Sequence, residues 1–174
     1  MALPAFAPVT PLDMRASMGR FVTGVAVVST GQSPEAWCGM TISSLTSISL
    51  DPAVLMISLM HGSRTTETIQ SDGRFTVSIL SSRQEAVARH FATRGGSRYE
   101  QIDYDLGAYG LPLIKDALVQ AECRVHSSHD VGDHTVVFGQ VENLRYRDGS
   151  GLLFNAGRFG DFHDLGFNDI PWWF

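Results

Sequence analysis

Lysine is nearly missing from this 174-residue sequence: of its 13 Lys and Arg residues, only Lys115 is lysine. That leaves little room for Schiff-base chemistry and assigns any phosphate to arginine, whose planar fork suits it. Cysteine is scarce too. Cys38 and Cys123 stand far apart, with no C-x-x-C and no Cys/His finger spacing, so neither a disulfide framework nor a zinc module is expected and both read as buried thiols. No run approaches the roughly 20 continuous apolar residues of a membrane helix, and residues 1–10 lack the basic segment that opens a signal peptide. No membrane partner and a cytoplasmic location are the expectation. With 18 acidic residues the formal net charge is −5 and the pI about 5.6, so no global positive field gathers nucleic acid. Several enzyme signatures are also missing: G-x-G-x-x-G after a strand, G-x-x-x-x-G-K-[ST], G-x-S-x-G and H-E-x-x-H. Rossmann, P-loop, α/β-hydrolase and zincin chemistry fall away.

What remains is an ordinary globular balance, 44% apolar and 18% charged with mean hydropathy +0.01, expected to form one domain over residues 1–174. Thr10-Pro11-Leu12-Asp13 is a helix-start signature. Met14, Met18, Phe21 and Val22 follow at i, i+4, i+7 and i+8, predicting a short helix packed on a core. Residues 25–28 read as a strand, Gly31-Gln32-Ser33-Pro34 as a turn, and residues from Ala36 as a second strand. Residues 41–49 carry six hydroxyls and read as one irregular strand. Residues 53–60 are almost continuously apolar and predict a fully buried strand; residues 63–71 leave room for a short helix; residues 74–79 alternate as a half-buried strand does.

Ser82-Arg83-Gln84-Glu85 has the pattern of a capping box, with Ala86/His90 and Val87/Phe91 on one helical face and Gly95-Gly96-Ser97 beyond it. Residues 99–110 show no period and read as a loop. Val119, Ala121, Cys123 and Val125 alternate with polar residues, and Gly132-Asp133 turns that strand into residues 134–144, a long hairpin. Six or seven strands with a few short helices predict a mainly β chain, barrel or sandwich. An aromatic tail, residues 163–174 with Trp172 and Trp173, is expected to dock on the barrel or on a partner subunit.

Three segments carry candidate chemistry. His61-Gly62-Ser63-Arg64-Thr65-Thr66 ends a buried strand and starts a helix at a hydroxyl, where free N–H groups, the helix dipole and Arg64 make an anion site. The same residues suit an ordinary Ser cap beside a solvated Arg. Gly39-Met40-Thr41-Ile42-Ser43-Ser44-Leu45-Thr46-Ser47 has small side chains that leave the backbone open to a flat polar heterocycle such as an isoalloxazine; it also suits a Thr/Ser-rich edge strand. His129-Asp130-Val131-Gly132-Asp133-His134 offers two imidazoles and two carboxylates, but hairpin turns commonly carry Asp and Gly, so a metal is not expected. His134 beside a bound heterocycle, orienting a nicotinamide nucleotide through one hydrogen bond, is the better reading.

Taken in order, Met18-Gly19-Arg20-Phe21-Val22-Thr23-Gly24-Val25, Gly39-Met40-Thr41-Ile42-Ser43-Ser44, Ser47-Ile48-Ser49-Leu50-Asp51-Pro52, Gly73-Arg74-Phe75-Thr76-Val77-Ser78-Ile79-Leu80, Gly132-Asp133-His134-Thr135, Gly139-Gln140-Val141 and Gly157-Arg158-Phe159 resemble one family. It is that of the short-chain flavin reductases, which have the FMN-binding split β-barrel fold and supply two-component monooxygenases. The resemblance spans about residues 14–162. It implies a homodimer in which FMN or FAD is reduced by NADH or NADPH and passed to a flavin-dependent monooxygenase, with no catalytic acid or base. By position, Thr41, Ser43, Ser44 and Ser47 would line the isoalloxazine and ribityl chain. Ser63, Arg64 and Thr65 would hold the flavin phosphate, Phe91 would lie near the flavin and His134 would contact the nicotinamide nucleotide. Leu45 stands where an aromatic is usual and Ala53 where a second Pro is common, which bears on packing at the ring edge. Relatives that retain flavin as electron carriers supply the alternative: a ligand-binding module without turnover.

Overall fold

Thr10 accepts from the Asp13 N–H and the Asp13 carboxylate accepts from Thr10, a reciprocal cap that starts helix α1, Pro11–Met18. This structure, a computed structural model, describes residues 5–93 and 99–163. Strands β1 (Thr23–Gly24), β2 (Ala26–Thr30), β3 (Cys38–Ile42), β4 (Thr46–Leu50) and β5 (Ala53–Met60) lead to helix α2, Arg64–Asp72. Strand β6 (Arg74–Ile79), helix α3 (Glu85–Ala92) and the short strands β7 (Tyr104–Leu106) and β8 (Pro112–Ile114) follow. The long hairpin β9 (Val119–Val131) and β10 (His134–Tyr146) precedes β11 (Leu153–Asn155) and β12 (Arg158–Gly160). The aromatic tail from residue 164 lies outside the described residues.

Seven strands form one antiparallel sheet in the order β3-β2-β6-β9-β10-β5-β4. Its two edges, β3 and β4, are neighbours in sequence, joined by Ser43, Ser44 and Leu45 alone. Such a link spans on the order of 13 Å at about 3.3 Å per residue, far less than six strand spacings of about 4.8 Å in a flat sheet. The sheet is therefore rolled. No strand pairing joins β3 to β4, so the roll stays open along a seam. The expected mainly β fold with few helices is found.

The core divides at the sheet. Ala26, Val28, Ile57, Leu59, Phe75, Val77, Ala121, Cys123 and Val137 fill the inside of the roll, and Ile69 of α2 joins them. On the outer face Val25, Val27, Leu80 and Leu152 pack with Trp37, Ala88, Phe91 and Tyr99 beneath α3. Strands β2 and β6 are covered on both faces, so β6 is not the half-buried strand its alternation predicts. Its outward hydroxyls anchor the covering chain: Thr76 donates to the Pro112 carbonyl (2.7 Å) and the Ile114 N–H donates to Ser78 (3.0 Å). Buried polar groups are tolerated when paired in this way.

Other expectations need correction. Helix α1 buries no residue, and Met14, Met18, Phe21 and Val22 are exposed, so this stripe does not pack on the chain's own core. Residues 41–49 are the end of β3, a break, and β4. The chain changes edges there, which periodicity does not encode. Strand β5 is only partly buried: Val54, Ile57 and Leu59 are covered, whereas Ala53 and Met60 at its ends are exposed and the residues between are half-buried. Helix α3 starts after Gln84 without a side-chain cap: the Gln84 carbonyl oxygen Oε1 accepts from the Ser81 N–H and its amide donates to the Lys115 carbonyl. Residues 99–110 include β7, paired with β8. The polar side of β9 is covered near its start, where Gln120 donates to the Ile114 carbonyl and Glu122 accepts from the Tyr109 N–H and from Asn143.

Candidate functional site

The seam is where the sheet's hydrogen bonding runs out. Strands β3 and β4 each lack a strand partner on their outer sides, which leaves backbone donors and acceptors for another molecule. The connecting segment is held by Ser44. Its hydroxyl donates to the Ser58 carbonyl (2.8 Å) and accepts from the Ser58 N–H (3.0 Å), taking the place of a ladder residue on β5. Thr41 donates to the Ala88 carbonyl (2.7 Å), tying β3 to α3. The Thr41 and Ser44 hydroxyls thus fix the seam from within, while Ser43 and Ser47 stand exposed along it.

At the end of β5 the chain turns at Gly62 into α2. Ser63 caps the helix by accepting from the Thr66 N–H (3.1 Å), and Thr66 in turn donates to the Met60 carbonyl. The N–H groups of Arg64 and Thr65, first in the helix, have no intrahelical acceptor and carry the positive end of the helix dipole. Arg64 is exposed, and its guanidinium donates to the Ala36 carbonyl (3.1 Å) before β3. Thr65 is buried at the first turn of the helix. The expected anion-site elements are together here.

Beyond the same end of β5, the β9–β10 turn brings in His134, which lies opposite Met60. The His134 Nδ1 is 2.7 Å from an Asp133 carboxylate oxygen, and this contact holds Asp133 below its ordinary pKa. His134 retains 42% side-chain exposure, enough to meet a ligand. His61 makes a second pair, its Nε2 3.2 Å from Asp130, which also accepts from the Thr135 hydroxyl. Its own N–H donates to the Asp133 carbonyl, which fastens the end of β5 to the hairpin tip. His61 precedes the Gly-Ser-Arg run in sequence, yet nothing local in the sequence pairs it with Asp130.

Phe91 stands behind the seam strand β3. It is 3% exposed and packs in the outer core, 5.1 Å between centroids from Tyr99. Leu45, the departure from the expected aromatic, is half-buried against the inner core.

A rolled, mainly β sheet, open along a polar seam and flanked by an unpaired helix start, defines a small-molecule-binding fold of the flavin reductase class. The flavin reductase like domain family matches residues 18–163, and the chain belongs to that family. An NADH-dependent flavin reductase of Rhodococcus sp is 39% identical over 168 residues, 95% of this chain and 94% of that protein. The structure of the NADH:FAD oxidoreductase SgcE6 of Streptomyces globisporus C-1027, in complex with NAD and FAD fragments, superposes with a TM-score of 0.86 at 34% identity, covering 93% of this chain and all of that one. BorF, the flavin reductase component of a bacterial two-component tryptophan halogenase, superposes with a TM-score of 0.83 at 29% identity over 89% of this chain and 99% of its own.

Proposed function

We propose that the protein is an NAD(P)H-dependent flavin reductase that takes up FMN or FAD, reduces it and releases it to a flavin-dependent monooxygenase component. The observation that carries this reading is the open seam ending at the start of α2. A flavin needs donors and acceptors along one ring edge and an anion site one ribityl chain away. The exposed Ser43 and Ser47 and the unpaired strand edges supply the first, and Arg64 with the N–H groups of Arg64 and Thr65 the second. Thr41, Ser44 and Ser63 act one step back, holding the backbone in place through their own hydrogen bonds. Phe91 supports the seam from the outer core through Gly39, where an added Cβ would lie 3.2 Å from its ring.

The bound cofactors supply the chemistry, hydride transfer from nicotinamide C4 to flavin N5. The chain's part is to hold two ring systems in contact and exclude water, and no side chain is assigned as acid or base. His134, fixed by Asp133, orients the nicotinamide nucleotide at the hairpin end of the seam. We assign the exposed Met14, Met18, Phe21, Ile48 and Leu50 to contact with a second copy of the chain in a homodimer, since an apolar edge strand left in water invites pairing. The cytoplasm, where nicotinamide nucleotides are plentiful, is the proposed location; among the described residues no helix is long and apolar enough to cross a membrane.

Steady-state turnover tests the reading. Purified protein with excess FMN or FAD should consume many equivalents of NADH or NADPH. Flavin binding without nucleotide oxidation would instead identify a carrier.

A further inference from the structure

Arg64 lines two sites. On one side it belongs to the start of α2; on the other it borders a cavity of about 450 Å³ formed with Glu35, Trp37, Tyr99, Glu100 and Tyr104. That volume falls in the roughly 300–1,000 Å³ range of small-molecule pockets. We propose that this cavity receives the adenosine half of FAD, so that the protein distinguishes FAD from FMN here. The inference rests on the flavin reading above, which places the flavin phosphate at Arg64.

An adenosine presents a flat purine, a ribose diol and, on its 5′ side, a phosphate. The cavity has an aromatic wall of three mutually perpendicular rings: Trp37 and Tyr104 centroids are 5.4 Å apart at 83°, and Tyr99 is 5.9 Å from each. Trp37 and Tyr99 are buried, which leaves Tyr104, 37% exposed, as the ring with a face free for stacking. Bases stack on such faces with little regard to identity. Glu35 and Glu100 supply carboxylates, the groups that accept hydrogen bonds from a ribose diol. The backbone N–H of Glu35 and then the Ser33 side chain hold the Glu35 carboxyl below its ordinary range, so it is ionised at neutral pH. Arg64, the cation of the lining, stands on the side where a pyrophosphate would arrive from α2. Two carboxylates disfavour a further phosphate on the sugar, so the fit is to an unmodified ribose.

The occupant is the flavin's adenosine, not the nicotinamide nucleotide's. The cavity shares Arg64 with the proposed flavin phosphate site and opens beside Ala36, whereas His134, the proposed nucleotide contact, stands at the hairpin tip opposite Met60 and is not part of its lining.

The test compares Tyr104→Ala and Glu35→Ala with the parent in three measurements: dissociation constants for FMN and for FAD, and KM for NADH. Glu35 is exposed and its removal leaves the core untouched, which keeps the test valid where Tyr104→Ala lowers folded yield. Both variants should weaken FAD, Tyr104→Ala by about tenfold and Glu35→Ala by severalfold, with FMN binding and the KM for NADH within about twofold of the parent. Equal losses for FMN and FAD, or no loss for either, would overturn the proposal. So would a raised KM for NADH with FAD binding unchanged, which would give the cavity to the dinucleotide. Parent protein that binds neither flavin would overturn the flavin reading itself, and this proposal with it.

Discussion

Gly139 shows how a single missing side chain is fixed by its neighbours. A Cβ at this position in β10 would lie 2.4 Å from the Phe75 ring and 3.2 Å from the Cys123 side chain, with nothing flexible to yield. Gly139→Ala should lower stability by about 1–3 kcal/mol, the usual result of overpacking a filled core, read as a drop in the denaturation midpoint with an unchanged slope. Gly39 is under the same constraint, its added Cβ falling 2.5 Å from the Tyr99 hydroxyl and 2.9 Å from the Val28 carbonyl. Both glycines lie in the runs that carry the family resemblance. The sequence shows that they are there, but the rings that require them, Phe75 and Tyr99, stand 64 and 60 positions away. Cys123 was legible from its place on the apolar side of β9, and burial pushes its thiol up to about 12, so it stays protonated and inert. Phe91 was legible as a helix-face residue; its packing against Tyr99 in the outer core was not.

Among the elements, the two caps with local partners, Thr10 and Ser63, were readable because donor and acceptor lie three residues apart. The Ser82-Arg83-Gln84-Glu85 pattern misleads because Gln84 spends its side chain on Ser81 and on Lys115, 31 residues away. Helix α2 carries the more consequential prediction. If Arg64 and the helix start hold the flavin phosphate, Arg64→Ala should weaken FMN about ten- to a hundredfold, as loss of a charge-assisted hydrogen bond implies, and leave riboflavin nearly unchanged. Equal losses would show that the substitution acts only through its bond to Ala36. The hairpin tip yields two more expectations. His134→Ala should raise the KM for the nicotinamide nucleotide severalfold, on the scale of one neutral hydrogen bond, and spare flavin affinity and melting temperature. Asp133 has a depressed pKa, so its contribution to stability is complete above about pH 4 and disappears as the pH falls through the lowered value. The gap in melting temperature between parent and Asp133→Asn should therefore close in acid.

For the whole molecule, the decisive fact is topological: consecutive strands occupy opposite edges of the sheet. The residues of the break, Ser43, Ser44 and Leu45, have nothing in their composition that ends a strand, so the sequence reads as continuous where the sheet is open. The hydroxyl cluster was visible; its division into Thr41 and Ser44, which hold the seam, and Ser43 and Ser47, which face outward, was not. The exposed apolar stripe from α1 and the edge residues of β4 extend the argument beyond one chain. In solution the protein should have twice the 19.0 kDa mass of the monomer, and Leu50→Glu should shift it toward the monomer in light scattering. The central claim is that the seam and the start of α2 make a flavin reductase, and it is tested most directly by NADH consumption with limiting protein as free FMN or FAD is raised. The account predicts a saturable rate that requires added flavin and greatly exceeds one turnover. Protein that binds flavin at the seam yet oxidises neither NADH nor NADPH would contradict it.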